Sequence, residues 1–353
     1  MTNKFLATGI GSMPQKEPSE ALDLIFRYFP CIPFWPQLPK RDPREGMIMQ
    51  FSAGFPFLKT SPFGICYDRR NNEKTLEEFY GRIIQEDLDY FKIEPEFASG
   101  LYYFYEKLKT AKDLKDIIYL KGQLSGPFTF SAGIKDEEGN LVINDQVFIE
   151  AITKGLIYKA LWQIKFLKEF KKKIIIFFDE PYLSCFGSAY TPINREKIVQ
   201  VLSEIFSEIK NFAINKLLLT PQELYLGVHC CGNTDWSIFT QITDLDIISF
   251  DAFSFADKVA LYSKDLKKFL KRKGILAWGL IPTLEFSGKE DLDFILNKFH
   301  SVLNLFINKG IEKELLLNRL ILTPACGLGN VSEANALKIL ELLSKLRDSL
   351  IFA

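Results

Sequence analysis

The chain has 353 residues, of which 47% are apolar and 32 are phenylalanine, so it is long and hydrophobic enough to bury a large core and is not a disordered protein. Lysine plus arginine and aspartate plus glutamate each number 44, and this balance gives no reason to expect a nucleic acid or a charged membrane surface as a partner. Six cysteines, without a secretory leader in MTNKFLATGIGSMP, indicate a reduced, cytoplasmic protein, and no apolar run approaches the ~20 residues of a membrane-spanning helix.

Short runs rich in β-branched and aromatic residues alternate with longer helical patterns along the chain. Strands are predicted, in chain order, at FLATGIGS near residue 5, IIYLKGQLSG near 117, KIIIFFDEP near 174, LYLGVHCCG near 224, DIISFDAF near 246, ILAWGLIP near 275 and LILTPACG near 320. Apolar residues at helical spacing predict helices in EALDLIFRYF, VFIEAITKGLIYKALWQIKFLKEF, REKIVQVLSEIFSEIKNFAINKLL, DLDFILNKFHSVLNLFINKG and EANALKILELLSKLRD.

Repeated units of a strand followed by a helix predict a parallel sheet. The seven strands, with an eighth and less regular one around CIPFWPQLP, suit a closed (β/α)8 TIM barrel of the α/β class, and an open doubly wound sheet is the alternative. No low-complexity linker and no fixed-period repeat divides the chain, so we expect a single domain over residues 1–353.

Polar and reactive side chains end one predicted strand after another, which is where a barrel carries its chemistry. These residues are Ser12, Asp179, Glu180, His229, Cys231, Asp251 and Cys326. A helix cap or core packing explains any one of them singly, but it does not explain the repetition at successive strand ends. The strand ends therefore predict a functional site.

The stretch GVHCCGN has a histidine two residues before a cysteine. In an extended strand the side chains of His229 and Cys231 share one face and that of Cys230 points away, so Cys230 is interpreted as a packing residue. An isolated HxC is common, but Cys326 at another strand end adds a third zinc ligand, and Asp251 adds a fourth ligand or a partner of one. A zinc ion with one open position lowers the pKa of a thiol bound there, which favours alkyl transfer to sulfur.

In this order, the motifs ATGIGSMPQ, KGQLSGPFTF, FFDEP, GVHCCGN and TPACGLG resemble the catalytic half of cobalamin-independent methionine synthase. Its superfamily includes uroporphyrinogen decarboxylase and the corrinoid-linked thiol methyltransferases. The resemblance spans residues 5–335 and implies a (β/α)8 barrel that carries zinc. It makes His229, Cys231 and Cys326 the zinc ligands, and it sets Asp251, an expected catalytic carboxylate, where the family has a ligating glutamate.

The resemblance also implies how the substrate is held. Ile10 and Ser12 lie in the IGS sequence that binds the amino-acid part of homocysteine. Asp179 matches the aspartate that receives the ammonium group, so it is expected to act in both binding and catalysis. The family's second ammonium-binding carboxylate has two candidates here, Glu45 and Asp42.

Three departures from the family bear on the methyl donor. The sequence has no counterpart of the amino-terminal half of the folate-using enzymes, and FWPQLPKRDPREGM is foreign to them. WGLIPTLEF stands where they have a histidine proton donor, and His300 lies in a helical pattern that indicates packing or helix surface. The amine of methyl-folate leaves poorly without protonation, whereas a methylcorrinoid needs none. Methylcobalamin or a related corrinoid, carried by a corrinoid protein, is therefore the expected donor.

The first hypothesis is thus a zinc-dependent methyltransferase that forms methionine from homocysteine or methylates a related thiol. One alternative is a metal-free enzyme of the decarboxylase branch, against which the histidine and cysteines at the strand ends argue. The other alternative is a non-catalytic accessory protein that binds zinc or a corrinoid. Metal content separates the first hypothesis from the decarboxylase, and thiol-dependent demethylation of methylcobalamin separates it from the accessory protein.

Overall fold

Ten strands occur in the computed structural model, which describes residues 5–61, 64–68, 72–136, 138–188 and 193–351. They are β1 (Leu6–Ala7), β2 (Leu58–Ser61), β3 (Gly64–Tyr67), β4 (Tyr119–Ser125), β5 (Lys135–Asp136), β6 (Lys173–Asp179), β7 (Leu224–Cys230), β8 (Ile247–Phe250), β9 (Ile275–Ile281) and β10 (Leu320–Pro324). Seven of them form one curled parallel sheet in the order β1-β10-β9-β8-β7-β6-β4. The seven predicted strands are confirmed, and they are the seven strands of this sheet.

Twelve helices are described. They are α1 (Pro18–Tyr28), α2 (Asn72–Ile84), α3 (Ser99–Thr110), α4 (Pro127–Ala132), α5 (Gln146–Lys168), α6 (Arg195–Asn215), α7 (Ser237–Gln241), α8 (Ala252–Val259), α9 (Ser263–Lys271), α10 (Leu292–Asn308), α11 (Lys313–Leu317) and α12 (Glu333–Ile351). Short 3₁₀ helices cover Pro43–Glu45, Met49–Phe51, Leu88–Phe91, Val142–Asn144, Pro181–Cys185 and Ala260–Tyr262. The five predicted helices are confirmed as α1, α5, α6, α10 and α12. None of the helices in the described ranges combines the length and the apolar character that crossing a membrane requires.

The strands are apolar throughout because both faces of the sheet are covered. In β6, Ile175 and Phe177 join a small cluster with residues of β8, β9 and β10 on one face of the sheet. The alternate residues Ile174, Ile176 and Phe178 pack into the larger core, which includes the surrounding helices. This two-sided burial explains the apolar runs of the central strands, and Lys121 and Gln123 in β4 and Ser249 in β8 are buried polar exceptions.

The segment around CIPFWPQLP is not a named strand of the sheet. Pro33, Pro36 and Pro39 have no backbone N–H, so a continuous ladder of hydrogen bonds is interrupted there. Single parallel bridges nevertheless join Phe34 to Lys121 on β4 and Gln37 to Ser12 beyond β1. The amide of Lys121 donates to Pro33 O at 3.0 Å, that of Gln37 to Gly11 O at 3.0 Å, and that of Met13 to Gln37 O at 2.9 Å. The segment thus lies between the two edges of the seven-stranded sheet.

A second, smaller sheet was not predicted from the sequence. It has the order β2-β3-β5, with β2 and β3 antiparallel and β3 and β5 parallel. Its short strands lack the clear apolar alternation that identifies a half-buried strand, so the sequence pattern offered little signal.

Candidate metal centre

A histidine and two cysteines meet at the carboxyl ends of two strands. His229 lies near the end of β7, Cys231 directly follows it, and Cys326 follows β10. The ligand atoms of these three residues all lie within 4.8 Å of one another. In the sheet order β7 and β10 are separated by β8 and β9, so the curl of the sheet brings the two strand ends together.

His229 presents one ring nitrogen to this cluster. The ring is buried, and its Nδ1 lies 2.9 Å from Ser249 Oγ on the neighbouring strand β8, where the parallel register sets Ser249 beside His229. Its Nε2 is buried and has no hydrogen-bond partner among the described residues. A histidine that uses one nitrogen for a fixed hydrogen bond and leaves the other unpaired beside two thiols has the arrangement of a metal ligand.

The two thiols of the cluster differ in their acidity. A hydrogen bond with Cys326 and the nearby imidazole of His229 together lower the pKa of Cys231 to about 4, against the opposing effect of burial. The same bond and burial raise the pKa of the Cys326 thiol. Cys231 therefore carries a thiolate readily, which is the form that binds a metal.

The cluster lines a cavity of about 300 Å³. The wall is formed by strand-end residues, by the loops that follow β1, β6 and β10, and by the segment after Pro36. The lining residues are Ile10, Ser12, Gln37, Pro39, Glu45, Met47, Asp179, Pro181, His229, Cys231, Cys326, Gly327, Gly329 and Asn330. The wall has two carboxylates and neither lysine nor arginine. This charge pattern favours a ligand with a positively charged group.

Asp179 ends β6 and is the carboxylate of the cavity with the fewest internal partners. Its Oδ1 is buried and has no hydrogen-bond partner among the described residues. Burial raises the pKa of Asp179 to about 6, while His229 and Lys121 act in the opposite direction. An unpaired buried carboxylate oxygen is costly, so a donor on a ligand would be bound there favourably.

Lys121, which sequence reasoning did not single out, lies within the sheet below this carboxylate. It is fully buried on β4, donates to Ile10 O and to Gln123 Oε1, and has its Nζ 4.5 Å from the centre of the Phe177 ring. Burial lowers the pKa of Lys121 to about 7, and Asp179 opposes this shift. Lys121 lies in the KGQLSG part of a predicted strand. A charged residue in an otherwise apolar strand was the signal that could have indicated a role for it.

Glu45 lies in the cavity wall but is held by the protein itself. Its Oε1 accepts hydrogen bonds from Arg41 at 2.9 Å and Ser99 at 2.5 Å, and its Oε2 accepts one from the amide of Leu38 at 3.3 Å. Burial raises the pKa of Glu45, and these donors lower it. The other candidate, Asp42, instead pairs with Arg44 and does not line the cavity.

Ile10 and Ser12 form the cavity wall beyond β1. The Ser12 hydroxyl accepts a hydrogen bond from the amide of Gly329 at 3.1 Å. A Cβ atom on Gly327 would lie 2.2 Å from Ser12 Oγ, so the loop after β10 approaches Ser12 this closely only because residue 327 is glycine. The two glycines thereby join the loop of Cys326 to the segment of Ser12.

Three further sequence candidates lie outside the three-ligand cluster. Asp251 follows β8 and its carboxylate accepts a hydrogen bond from Ser254 N at 2.7 Å, which caps α8; it is not in the group of mutually close ligand atoms. Cys230 is fully buried and its thiol donates to Gly232 O, as expected for a packing residue. His300 is exposed on α10 and contacts the Phe299 ring. The interpretation of Cys230 and His300 is thus confirmed.

Several cavity residues had no assigned role in the sequence reading. Pro39 and Met47 lie in the stretch FWPQLPKRDPREGM, whose departure from the family pattern was the available signal. Ser249 carried no such signal, because its role follows from the register of β8 against β7. Neither a scan of the chain against protein-family models nor a search of curated proteins gave a match.

Proposed function

We propose that this protein is a zinc-dependent methyltransferase that activates a thiol, homocysteine, and transfers to it the methyl group of a methylcorrinoid, giving methionine. One observation carries the proposal: His229, Cys231 and Cys326 have their ligand atoms within 4.8 Å of one another in the wall of a cavity. The motif resemblance to the catalytic half of methionine synthase supports the same function.

The donor set fits zinc. Imidazole nitrogen and thiolate sulfur are preferred zinc ligands, and three protein ligands leave a position for a substrate. The unpartnered Nε2 of His229 and the low pKa of Cys231 fit metal binding, and a bound metal would replace the hydrogen bond between Cys231 and Cys326. Zinc held there would lower the pKa of a substrate thiol from about 8.5, so that the thiol reacts as a thiolate at neutral pH. Asp251 is retained as a fourth ligand or as a partner of the site.

The amino-acid part of the substrate is assigned to the rest of the cavity. Asp179, with an unpartnered oxygen, would accept the ammonium group, and Glu45, whose charge is paired with Arg41, lines the same cavity. The backbone around Ile10 and Ser12 would bind the carboxylate end. These residues would hold the thiol sulfur beside His229, Cys231 and Cys326 and exclude competing orientations.

The methyl donor is proposed to be a corrinoid bound to a partner protein. A new sulfur–carbon bond forms as the cobalt–carbon bond breaks, the electron pair of the broken bond stays on cobalt, and the thiol proton is released to solvent. This leaving group needs no protonation, which agrees with the absence of a histidine among the cavity residues other than His229. We also propose that the protein is cytoplasmic.

We further propose that the sheet closes into an eight-membered (β/α)8 barrel within a single domain. The support is the segment of residues 33–37, which is bridged to β4 on one side and to Ser12 on the other. In that arrangement it stands where an eighth parallel strand would stand between β4 and β1. Closure explains why strand ends as distant in sequence as those of β6, β7 and β10 share one cavity.

The experiment that tests the function measures zinc content and homocysteine-dependent loss of the methyl–cobalt absorbance of methylcobalamin on the same purified samples. Wild-type protein should hold about one zinc ion per chain and demethylate the corrinoid. Cys326→Ala should lose both properties, because it removes one of three ligands. Protein purified without chelator that contains no zinc would contradict the proposal.

Cys230→Ala is the matched control, because Cys230 neighbours Cys231 but its thiol donates to Gly232 O. It should keep zinc and activity. Zinc binding without demethylation in wild-type protein, even with a corrinoid protein supplied, would favour the accessory-protein alternative. Activity without any bound metal would favour another chemistry at the same cavity.

A further inference from the structure

Gln37 contributes an unused hydrogen-bond acceptor to the cavity. Its side chain is 6% exposed, lines the cavity, and has its Oε1 so close to the backbone of Gly11 that a Cβ there would lie 2.7 Å away. Gly11 lies between Ile10 and Ser12, which are both cavity residues. No group in the described part of the chain donates a hydrogen bond to this oxygen.

A chain of two amides fixes which atom of Gln37 faces the cavity. Gln50 Nε2 donates to the main-chain oxygen of Phe97 at 2.7 Å, and a carbonyl oxygen can only accept. The other atom of the Gln50 amide, Oε1, must therefore accept, and it receives Gln37 Nε2 at 2.8 Å. Since Gln37 donates through Nε2, its Oε1 is the atom left for the cavity. The orientation follows from the main chain and not from an arbitrary choice between two amide rotamers.

In the ranges that the structure describes, Gln37 and Asp179 each have a side-chain oxygen that accepts no hydrogen bond, whereas Glu45 does not. Both oxygens of Glu45 already accept hydrogen bonds, from Arg41, Ser99 and Leu38. Gln37 Oε1 and Asp179 Oδ1 have no donor among the described residues. Two acceptors, one of them charged, match a group with several N–H donors and one positive charge, which is a protonated primary amine.

We infer that Gln37 is a specificity-determining residue whose Oε1 accepts a hydrogen bond from the amine of the thiol substrate, and that Gln50 positions it. The inference rests on the proposed function and narrows it, because it selects thiols that carry an amine and disfavours those that lack one. A thiol without the amine fills the cavity but leaves this acceptor unpaired, which is how a polar site rejects an analogue of similar size.

The test compares the binding of two thiols to zinc-loaded protein by calorimetry. L-Homocysteine and 4-mercaptobutyrate share the thiol and the carboxylate, and only the first has the amine. Wild-type protein should prefer homocysteine. Gln37→Met, which keeps the length of the side chain but removes the acceptor, should weaken homocysteine binding about tenfold to a hundredfold and change 4-mercaptobutyrate binding less than about threefold.

Two further variants separate a specific effect from a structural one. Gln50→Met leaves the cavity wall unchanged but removes the group that orients Gln37, so the preference for homocysteine should fall by a smaller factor. Gln85→Met replaces an exposed glutamine beyond α2 and should alter neither affinity. Zinc content equal to that of wild type shows that each variant is folded.

The outcomes distinguish this inference from the function on which it rests. Thiol binding with an unchanged preference in Gln37→Met, or an equal loss for both thiols, overturns the role of Gln37 and leaves the thiol-binding zinc site standing. Wild-type protein that holds zinc but binds neither thiol overturns the proposed function and this inference together.

Discussion

At the scale of single residues, the candidate site depends on how the protein orients His229. The ring could present either nitrogen to Cys231 and Cys326, but the contact between Nδ1 and Ser249 Oγ fixes Nδ1 and leaves Nε2 unpaired. With the hydroxyl oxygen accepting from Nδ1–H, the lone pair of Nε2 is free for a metal. A serine without chemistry of its own thus fixes which ring nitrogen of a proposed ligand faces the two thiols.

We expect Ser249→Ala to weaken zinc binding about tenfold to a hundredfold without loss of the fold, because the imidazole loses the hydrogen-bond partner that holds its ring in place. Competition with a chromophoric zinc chelator measures the dissociation constant. Ser131→Ala is the control, since Ser131 is also fully buried but its Oγ has no hydrogen-bond partner in the described ranges. Equal affinities for the Ser249 variant and wild type would show that the serine does not support a ligand.

At the scale of elements, the segment from Pro33 to Pro39 is held by contacts that replace a regular ladder. Trp35 is fully buried and its Nε1 donates to Gln163 Oε1 on α5 at 3.1 Å. On the other side α3 packs so closely that a Cβ on Gly100 would lie 2.0 Å from Pro36 O. The neighbouring residue Gln37 reaches the cavity only while this packing holds.

We expect Gly100→Ala to lower the free energy of unfolding by about 2–3 kcal/mol, because the added methyl group must separate α3 from the main chain at Pro36. Urea unfolding followed by circular dichroism measures the change. Gly81→Ala provides the contrast: Gly81 lies within α2, nothing surrounds its Cβ position within 4 Å, and alanine should stabilise the helix by about 0.5–1 kcal/mol. Similar stabilities for the two variants would contradict the packing described for Gly100.

At the scale of the whole molecule, the question is whether the curled sheet ends in two free edges. β1 and β4 stand at the ends of the seven-stranded order, and edges of this kind normally exchange their amide protons readily. Here the amides of Gln37 and Lys121 donate to Gly11 O and Pro33 O, which links both ends through the proline-rich segment. The proposed closed barrel depends on these few hydrogen bonds.

We expect the amides of Gln37, Lys121 and Met13 to be protected from hydrogen exchange to an extent comparable with the central strand β7, since they donate to main-chain oxygens across the junction. Exchange monitored by NMR or by mass spectrometry with peptide resolution tests this. The amides of β7 in the same sample are the internal reference. Exchange at the rate of an unstructured peptide would favour an open seven-stranded sheet.

Local patterns in the sequence predicted the strands of the main sheet and five of the helices. Apolar runs predicted the seven strands of the main sheet, and helical spacing predicted α1, α5, α6, α10 and α12, because these signals depend on neighbouring residues alone. The strand-end rule also selected His229, Cys231 and Cys326, which the structure brings together. Short elements such as α4 and α7 were missed, because they have too few turns to display a period.

Only the tertiary structure decided how distant residues meet. The register of β7 against β8 sets Ser249 beside His229, and the curl of the sheet brings the end of β10 to the end of β7. The acceptor that Gln37 offers to the cavity is determined by Gln50 and, through it, by a main-chain oxygen of residue 97. The sequence alone determined which residues end the strands, since burial patterns are local. Which atoms face one another depends on hydrogen bonds between segments far apart in the chain, and these exist only once the sheet has formed.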